Sequence, residues 1–358
     1  MRFIRNLLFR PVIGSITPPI KDYIDTNKRA FLFKKGFIKI LWRSLKSLII
    51  FQLTNQKKYL LTSIEPKKHK RCLWLYYDVL QIGDALMDLA PRSLLDKLGI
   101  QIDLFTHPHI ADLFADDQLL NLIESDPKLI NPNNYDFVIV TNIKWKALKY
   151  KFFYTRHLPW ISIYGEFNGP EINRALFSTK RLAELCTQKI YSREQEFHAN
   201  QKLIFLNDEF VKQHSFKSIA LAVGGVDKHR IFSNWNSLIK GLNNIGIKKI
   251  ILLGGINGIV EANAIQSNQS KIQNYVGKTS LKECRKLIQQ ATLLIASDSG
   301  LMHLAVTTNT PVIGLFNKEI QCNWRLPKHL LKYALQSKSN NLNDIKISSI
   351  INIIKKII

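Results

Sequence analysis

From Cys72 onward, apolar runs of strand length alternate with stretches of helical period. Cys72 to Tyr77, Ile100 to Thr106, Phe137 to Thr141 and Trp160 to Tyr164 read as strands, with a helix expected from about Ala85 to Leu98. The pattern restarts in the second half. Ser218 to Val223, Lys249 to Leu253, Leu293 to Ala296 and Val312 to Phe316 read as strands, and Trp235 to Asn244 and Leu281 to Gln290 as helices. Strands alternating with helices imply a parallel, doubly wound sheet, so each half is expected to be an α/β layer structure. Residues 165–215 are polar and helical in pattern and are expected to bridge the halves. The tail after about residue 331 is rich in Asn and Lys and ends in an apolar-basic helix, Ile345 to Ile358. No short-period repeat is present.

The first 70 residues have a different texture. Phe37, Leu41, Leu45 and Leu48 recur at helical spacing, while Lys35, Lys39, Arg43 and Lys46 take another face. Such a basic amphipathic helix suits an anionic lipid surface, and equally a helix packed on the first domain with its lysines in water. The run Lys67-Lys68-His69-Lys70-Arg71 marks the boundary. The opening residues begin like a signal peptide, but Arg10 and Pro11 interrupt the apolar segment, and no stretch approaches the length of a membrane span. The expectation is a cytoplasmic protein.

Charge sharpens this division. The 358 residues carry a formal net charge of +24, and residues 1–70 hold 16 Lys and Arg against 3 acids. Nucleic acid, an anionic membrane or an acidic substrate would each answer such an excess. No interleaved aromatic platform or known nucleic-acid motif accompanies it, so nucleic acid is not expected. Cys72, Cys186, Cys284 and Cys322 are scattered, with no C-x-x-C pair, which reads as reduced thiols rather than zinc ligands. No D-x-D motif, no G-x-x-x-x-G-K-[ST] and no complete G-x-G-x-x-G occurs. His107 and His109 read as loop residues after a strand.

The most informative segment is 293–316. An apolar strand ends in Ser297-Asp298-Ser299-Gly300, a helical stretch carrying His303 follows, then Pro311 and a second strand. In a parallel sheet this turn lies at the carboxyl edge, where open α/β folds bind ligands, and Ser299 and Gly300 can offer backbone N–H groups to a phosphate. The plainer reading is an ordinary turn with a capping Ser and a half-buried His.

Asp298-Ser299-Gly300-Leu301-Met302-His303-Leu304-Ala305 closely resembles the D-[ST]-G-x-x-H-x-A signature of glycosyltransferase family 9, the bacterial lipopolysaccharide heptosyltransferases and their relatives. The resemblance covers roughly residues 72–330. It implies a GT-B fold of two facing Rossmann-like domains: an acceptor-side domain over 71–200 and a donor domain over 201–358 with a C-terminal helix, preceded here by a basic helical extension over 1–70. It also implies transfer of a sugar, with heptose from an ADP-activated donor expected, to a lipopolysaccharide core or similar lipid-linked acceptor, with inversion and without a metal or resident cofactor. The nucleotide sugar is a co-substrate. A basic extension then fits peripheral association with the inner face of the bacterial inner membrane.

Carried over residue by residue, the resemblance gives Lys228, seven residues before Trp235, the donor diphosphate, with His229 and Arg230 as nearby substitutes and a solvated surface lysine as the plain alternative. Asp298 would shape the donor loop, and Ser299, Gly300 and His303 would hold the diphosphate. Gly277-Lys278-Thr279-Ser280-Leu281 resembles the family's G-K-[TM]-S-L stretch beside the nucleotide, which places Thr279 there; Ser280 also reads as a helix cap. Gln81-Ile82-Gly83-Asp84 resembles the loop whose Asp is the general base for the acceptor hydroxyl. Asp78 and Asp88 are rival carboxylates, and a plain N-cap role for Asp84 stays open.

The chain also departs from the family. Gly258 stands where a ribose-binding Glu is expected, with Glu261 the nearest acid. Asp78 stands where a Lys or Arg is usual, and Arg230-Ile231 replaces the usual Trp-Pro. These departures point toward a different donor or acceptor.

Overall fold

The computed structural model describes residues 38, 42, 45–46, 49, 52–143, 145–165, 173–187, 217–265 and 271–358. The chain divides into two compact units, one of Met1–Leu80 and Asp84–Leu206, the other of Gln81–Gly83 and Asn207–Ile358.

In chain order the first elements are β1 (Arg71–Tyr76), α1 (Ile82–Asp88), α2 (Arg92–Lys97), β2 (Gln101–Thr106), α3 (Pro108–Phe114), β3 (Leu122–Glu124), β4 (Phe137–Val140), α4 (Trp145–Tyr154), β5 (Trp160–Ser162) and α5 (Arg174–Thr187). The five strands form one wholly parallel sheet in the order β3-β2-β1-β4-β5. Cys72 to Tyr76 are all buried, as a strand covered on both faces requires. Because β1 pairs with β2 on one side and β4 on the other, the loops after β1 and β4 diverge at a topological switch point.

The single helix expected over 85–98 is two. Pro91 has no N–H to continue the first helix and instead opens α2, its carbonyl accepting from Leu94 and Leu95. His107 precedes α3 with Pro108 at the first helical position, and His109 lies inside that helix rather than in a loop. Segment 54–64 is anchored to this unit. Gln56 is buried, its carbonyl accepts from Trp160 Nε1 at 2.9 Å, and Ile64 N donates to Leu185 O at 2.8 Å.

The expected amphipathic helix of the N-terminal region falls mostly outside the described residues. Of its named positions, Leu45 and Lys46 are described, and both are helical and exposed. Ile38, Trp42, Ile49 and Leu53 are also helical and exposed, so the apolar positions 38, 42, 45, 49 and 53 repeat at helical spacing. Among the described residues, no helix is long and apolar enough to cross a membrane. Of the expected polar bridge, α5 is described, whereas 166–172 and 188–216 lie outside the described residues.

The second unit contains β6 (Ser218–Ala222), α6 (Trp235–Asn244), β7 (Lys249–Leu253), α7 (Ile259–Ala264), β8 (Ile272–Asn274), α8 (Leu281–Gln290), β9 (Leu293–Ser297), α9 (Gly300–Val306), β10 (Val312–Phe316), β11 (Leu335–Gln336) and α10 (Ile347–Ile357). Its parallel sheet runs β11-β10-β9-β6-β7-β8, so β6 and β9 flank a second switch point. The core joins Leu221, Ile250 and Ile295 of the sheet to Trp235 and Leu238 of α6 and Ile350 and Ile354 of α10. The short edge strands β3, β8 and β11 carry too few residues to show a period in the sequence.

Candidate functional site

The site in the second unit grows from the switch point between β6 and β9. After β6 the chain turns at Gly224, which takes a left-handed φ of +85°, and Asp227 accepts from His229 N at 3.0 Å to start a 3-10 turn over Lys228–Arg230. After β9, Asp298 and Ser299 precede α9, with Ser299 as its N-cap residue and Gly300 its first helical residue. The two loops meet through Asp298. Arg230 Nη1 lies 3.0 Å from Asp298 Oδ2, Arg325 Nε donates to the same oxygen at 3.2 Å, and His303 Nε2 sits 3.6 Å from Oδ1. Burial alone would raise the Asp298 carboxyl. His303, Arg325 and Arg230 outweigh it and hold the pKa down to about 2.

Three side-chain polar atoms around this carboxylate are buried without a hydrogen-bond partner: Ser299 Oγ, His303 Nδ1 and Arg230 Nε. Buried polar groups are normally satisfied, so these three atoms leave hydrogen-bonding capacity that water or a ligand can take.

The structure therefore brings Asp298, Ser299, Gly300 and His303 together and adds Arg230 and Arg325. Lys228 is exposed and stands outside the network. Thr279 lies in another turn, its hydroxyl 3.1 Å from Cys284 Sγ. The next residue, Ser280, caps α8 in a reciprocal capping box with Glu283. Arg325 has no sequence signal: it lies 27 residues beyond Asp298, after an irregular 3-10 turn, and only the fold reveals it.

Gly258 is explained by packing. A Cβ there would lie 2.6 Å from the carbonyl oxygen of Val223, and a Cβ on Gly224 would lie 2.4 Å from the Gly258 Cα. No side chain fits at 258, so a carboxylate cannot project from it.

In the first unit three carboxylates surround the loop after β1, and their environments separate them. Asp88 is fully buried. Tyr76 OH donates to it at 2.8 Å, Tyr164 OH donates to it as well, and Arg174 grips it in a fork through Nε (2.9 Å) and Nη2. Asp78 accepts from Thr141 Oγ1 and Asn142 Nδ2, both at 2.9 Å, across the switch point; burial pushes its carboxyl up against those bonds. Asp84 sits in the first turn of α1 rather than at a cap, with 31% of its side chain exposed and Arg174 Nη1 3.5 Å away. Asp88 is sealed from solvent, whereas Asp84 and Asp78 are both partly exposed, Asp78 with its two oxygens taken by Thr141 and Asn142. Arg174, unmarked by any sequence pattern, joins Asp84 to Asp88.

Among the described residues no group of His, Cys, Asp or Glu is arranged to hold a metal ion. The four cysteines are free thiols.

Comparison with known proteins bears on the family and the fold. Residues 173–352, half of the chain, match the model of glycosyltransferase family 9 (heptosyltransferase). The lipopolysaccharide core heptosyltransferase OpsX of Haemophilus influenzae is 30% identical over 106 residues, covering 24% of this chain and 30% of that protein. Lipooligosaccharide heptosyltransferase 2 of the same organism is 46% identical over 43 residues, 12% of each chain. The chain thus spans less than a third of the length of these curated relatives. ADP-heptose lipopolysaccharide heptosyltransferase II of Escherichia coli superimposes with a TM-score of 0.62 at 17% identity, over 80% of this chain and 98% of that one. A family 9 glycosyltransferase of Veillonella parvula gives 0.64 at 12% identity, over 82% and 98%. At these identities the superpositions speak for the fold, which is GT-B, with a parallel α/β sheet in each unit. A family signature seated on the β6–β9 switch point, a family match over half the chain and this fold converge: the chain is a member of glycosyltransferase family 9.

Proposed function

We propose that this chain is an inverting glycosyltransferase that moves heptose from an ADP-activated donor to a lipopolysaccharide or lipooligosaccharide core, or to a similar lipid-linked acceptor. The observation that carries the reading is the donor-side cluster: Asp298 pinned by Arg230 and Arg325, beside the unpartnered polar atoms of Ser299 and His303. Such an arginine-bearing, under-bonded cluster suits a diphosphate, whose negative charge grows as it leaves.

In this reading the acceptor hydroxyl attacks the anomeric carbon on the face opposite the diphosphate. The new C–O bond forms as the bond to the phosphate oxygen breaks, the proton passes to Asp84, and the nucleoside diphosphate departs with the electron pair. His303, Ser299, Gly300 and a cation of the Lys228–Arg230 turn stabilise the departing group and Thr279 lines the nucleotide, so no metal is required. The exposed apolar positions 38, 42, 45, 49 and 53, in a segment with nine Lys and Arg and no acid between residues 26 and 64, support peripheral binding to the anionic inner face of the inner membrane from the cytoplasm.

A second reading is a family 9 transferase for another nucleotide sugar. Gly258 favours it, because the position that would carry the ribose-binding Glu has no room for a side chain.

Thermal-shift titration of the full chain with ADP-heptose, UDP-sugars and GDP-sugars, followed by transfer assays to core lipooligosaccharide, separates the readings. ADP-heptose is expected to raise the melting temperature in proportion to the logarithm of its concentration and to be turned over. Stabilisation by a different nucleotide sugar selects the second reading. Neither binding nor turnover with any donor overturns both, and leaves a catalytically silent membrane-associated relative.

A further inference from the structure

The residue best placed to meet an anion beside Asp298 is Arg230, two positions from Lys228, which the family resemblance favours. Its guanidinium is held from one side by Asp298 Oδ2 at 3.0 Å, and Asp227 Oδ2 stands 3.5 Å from its Nε. That Nε is buried without a hydrogen bond, yet the side chain as a whole is one-third exposed. A guanidinium ion-paired to two carboxylates, with its Nε–H still short of a hydrogen bond and a third of the side chain exposed, is prepared to receive a further acceptor group. Arg325 differs: its side chain is nearly fully buried against Asp298. Lys228 is exposed and outside the cluster.

Asp298 and Asp227 balance Arg230 and Arg325 when His303 is neutral, so what favours an added anion is the exposed part of the Arg230 fork rather than net charge. His303, whose side chain is only 4% exposed, turns Nε2 toward Asp298 and leaves Nδ1 unpartnered, as is Oγ of Ser299, the residue after Asp298. A planar guanidinium also offers two parallel donors to phosphate oxygens, which an ammonium cannot.

Resting on the functional reading above, we propose that Arg230, oriented by Asp298, takes the diphosphate of the nucleotide donor in this chain, in the role sequence spacing assigns to Lys228. Asp298 is then a positioning residue that aims the guanidinium rather than a direct ligand of the nucleotide.

The test is calorimetric titration of the full chain and its Arg230→Ala, Arg230→Lys and Lys228→Ala variants with ADP, UDP and GDP. It is paired with displacement of the bound nucleotide by inorganic pyrophosphate. Arg230→Ala is expected to weaken the nucleoside diphosphate by about tenfold or more, and pyrophosphate by the same factor, because the lost contact is to the diphosphate alone. Arg230→Lys keeps a cation beside Asp298 but loses the fork, and is expected to fall between the two. Lys228→Ala is expected to cost less than about threefold, the scale of an exposed charge.

Binding by Arg230→Ala within twofold of the wild type, or a greater loss in Lys228→Ala, overturns the assignment. So does a loss for the nucleotide without one for pyrophosphate, which would mean a collapsed loop. If Arg230→Ala does not fold, Arg230→Lys decides by the same comparison. Failure of the wild type to bind any of the three diphosphates removes the functional reading and this inference together; binding that ignores Arg230 removes only the inference.

Discussion

Gly224 and Gly258 occupy each other's side-chain space: a Cβ on Gly224 would lie 2.4 Å from the Gly258 Cα. The loops after β6 and β7 therefore touch backbone to backbone, and Gly224 also holds a φ of +85° that L side chains resist. Restoring an acidic side chain by Gly258→Glu would drive its Cβ to 2.6 Å from Val223 O, which is main chain and cannot swing aside. The expected result is a stability loss of about 1–3 kcal/mol by urea denaturation, with no gain in nucleotide affinity. A stable Gly258→Glu variant with tighter donor binding would contradict this packing account.

Asp298 should report on acid stability. Its folded pKa, about 2, is below the ordinary value of 3.8, so its contribution is fully present above about pH 4 and fades as pH falls toward 2. The shift corresponds to about 2 kcal/mol. Asp298→Asn is expected to be less stable than the wild type at pH 7 by roughly that amount, with the gap closing between pH 4 and 2. Parallel curves for the two proteins over that range would show that the arginines do not depress the carboxyl.

Asp84 and Asp88 are predicted to separate function from stability. Asp84 is partly exposed, so Asp84→Asn should leave the melting temperature nearly unchanged while lowering transfer by about 10²–10⁴-fold, with donor affinity intact. Arg174→Leu strips the cation from Asp88, buried against two tyrosine hydroxyls, and is expected to cost about 3–5 kcal/mol. Unaltered transfer by Asp84→Asn would move the search for the base to another group.

Lys151 offers a test at the other end of the pH scale. Its fully buried ammonium donates to Gln56 Oε1, Thr155 O and Arg156 O at 2.9, 2.8 and 3.1 Å, while burial pulls its pKa down to about 7. The unfolded chain, with an ordinary value of 10.5, binds the proton more tightly. This group's contribution to stability therefore rises as pH increases from about 7 to 10.5. The difference in melting temperature between wild type and Lys151→Met should change in that direction across the window. A constant difference would mean that the three oxygens fully offset the desolvation.

Most of what was readable in the sequence was local. The strands β1, β2, β4, β6, β7, β9 and β10 showed as apolar runs because a strand buried on both faces has little freedom in composition. The α1–α2 break, by contrast, turned on one proline within an otherwise periodic stretch. Edge strands of two or three residues carry no period at all. The Asp298–His303 turn was legible because all its parts fall within six consecutive residues between a strand and a helix.

The sequence by itself thus determined the α/β class, the family and the strand–turn–helix that seats Asp298, since local periodicity and contiguous motifs encode these directly. Only the tertiary structure decided which charges meet. Arg230 and Arg325 reach Asp298 from two different loops, Thr141 and Asn142 reach Asp78 across a switch point, and Arg174, 86 positions beyond Asp88, ties that buried carboxylate to Asp84. Electrostatics depends on distance through space and on burial, and neither is written in the spacing of residues along the chain.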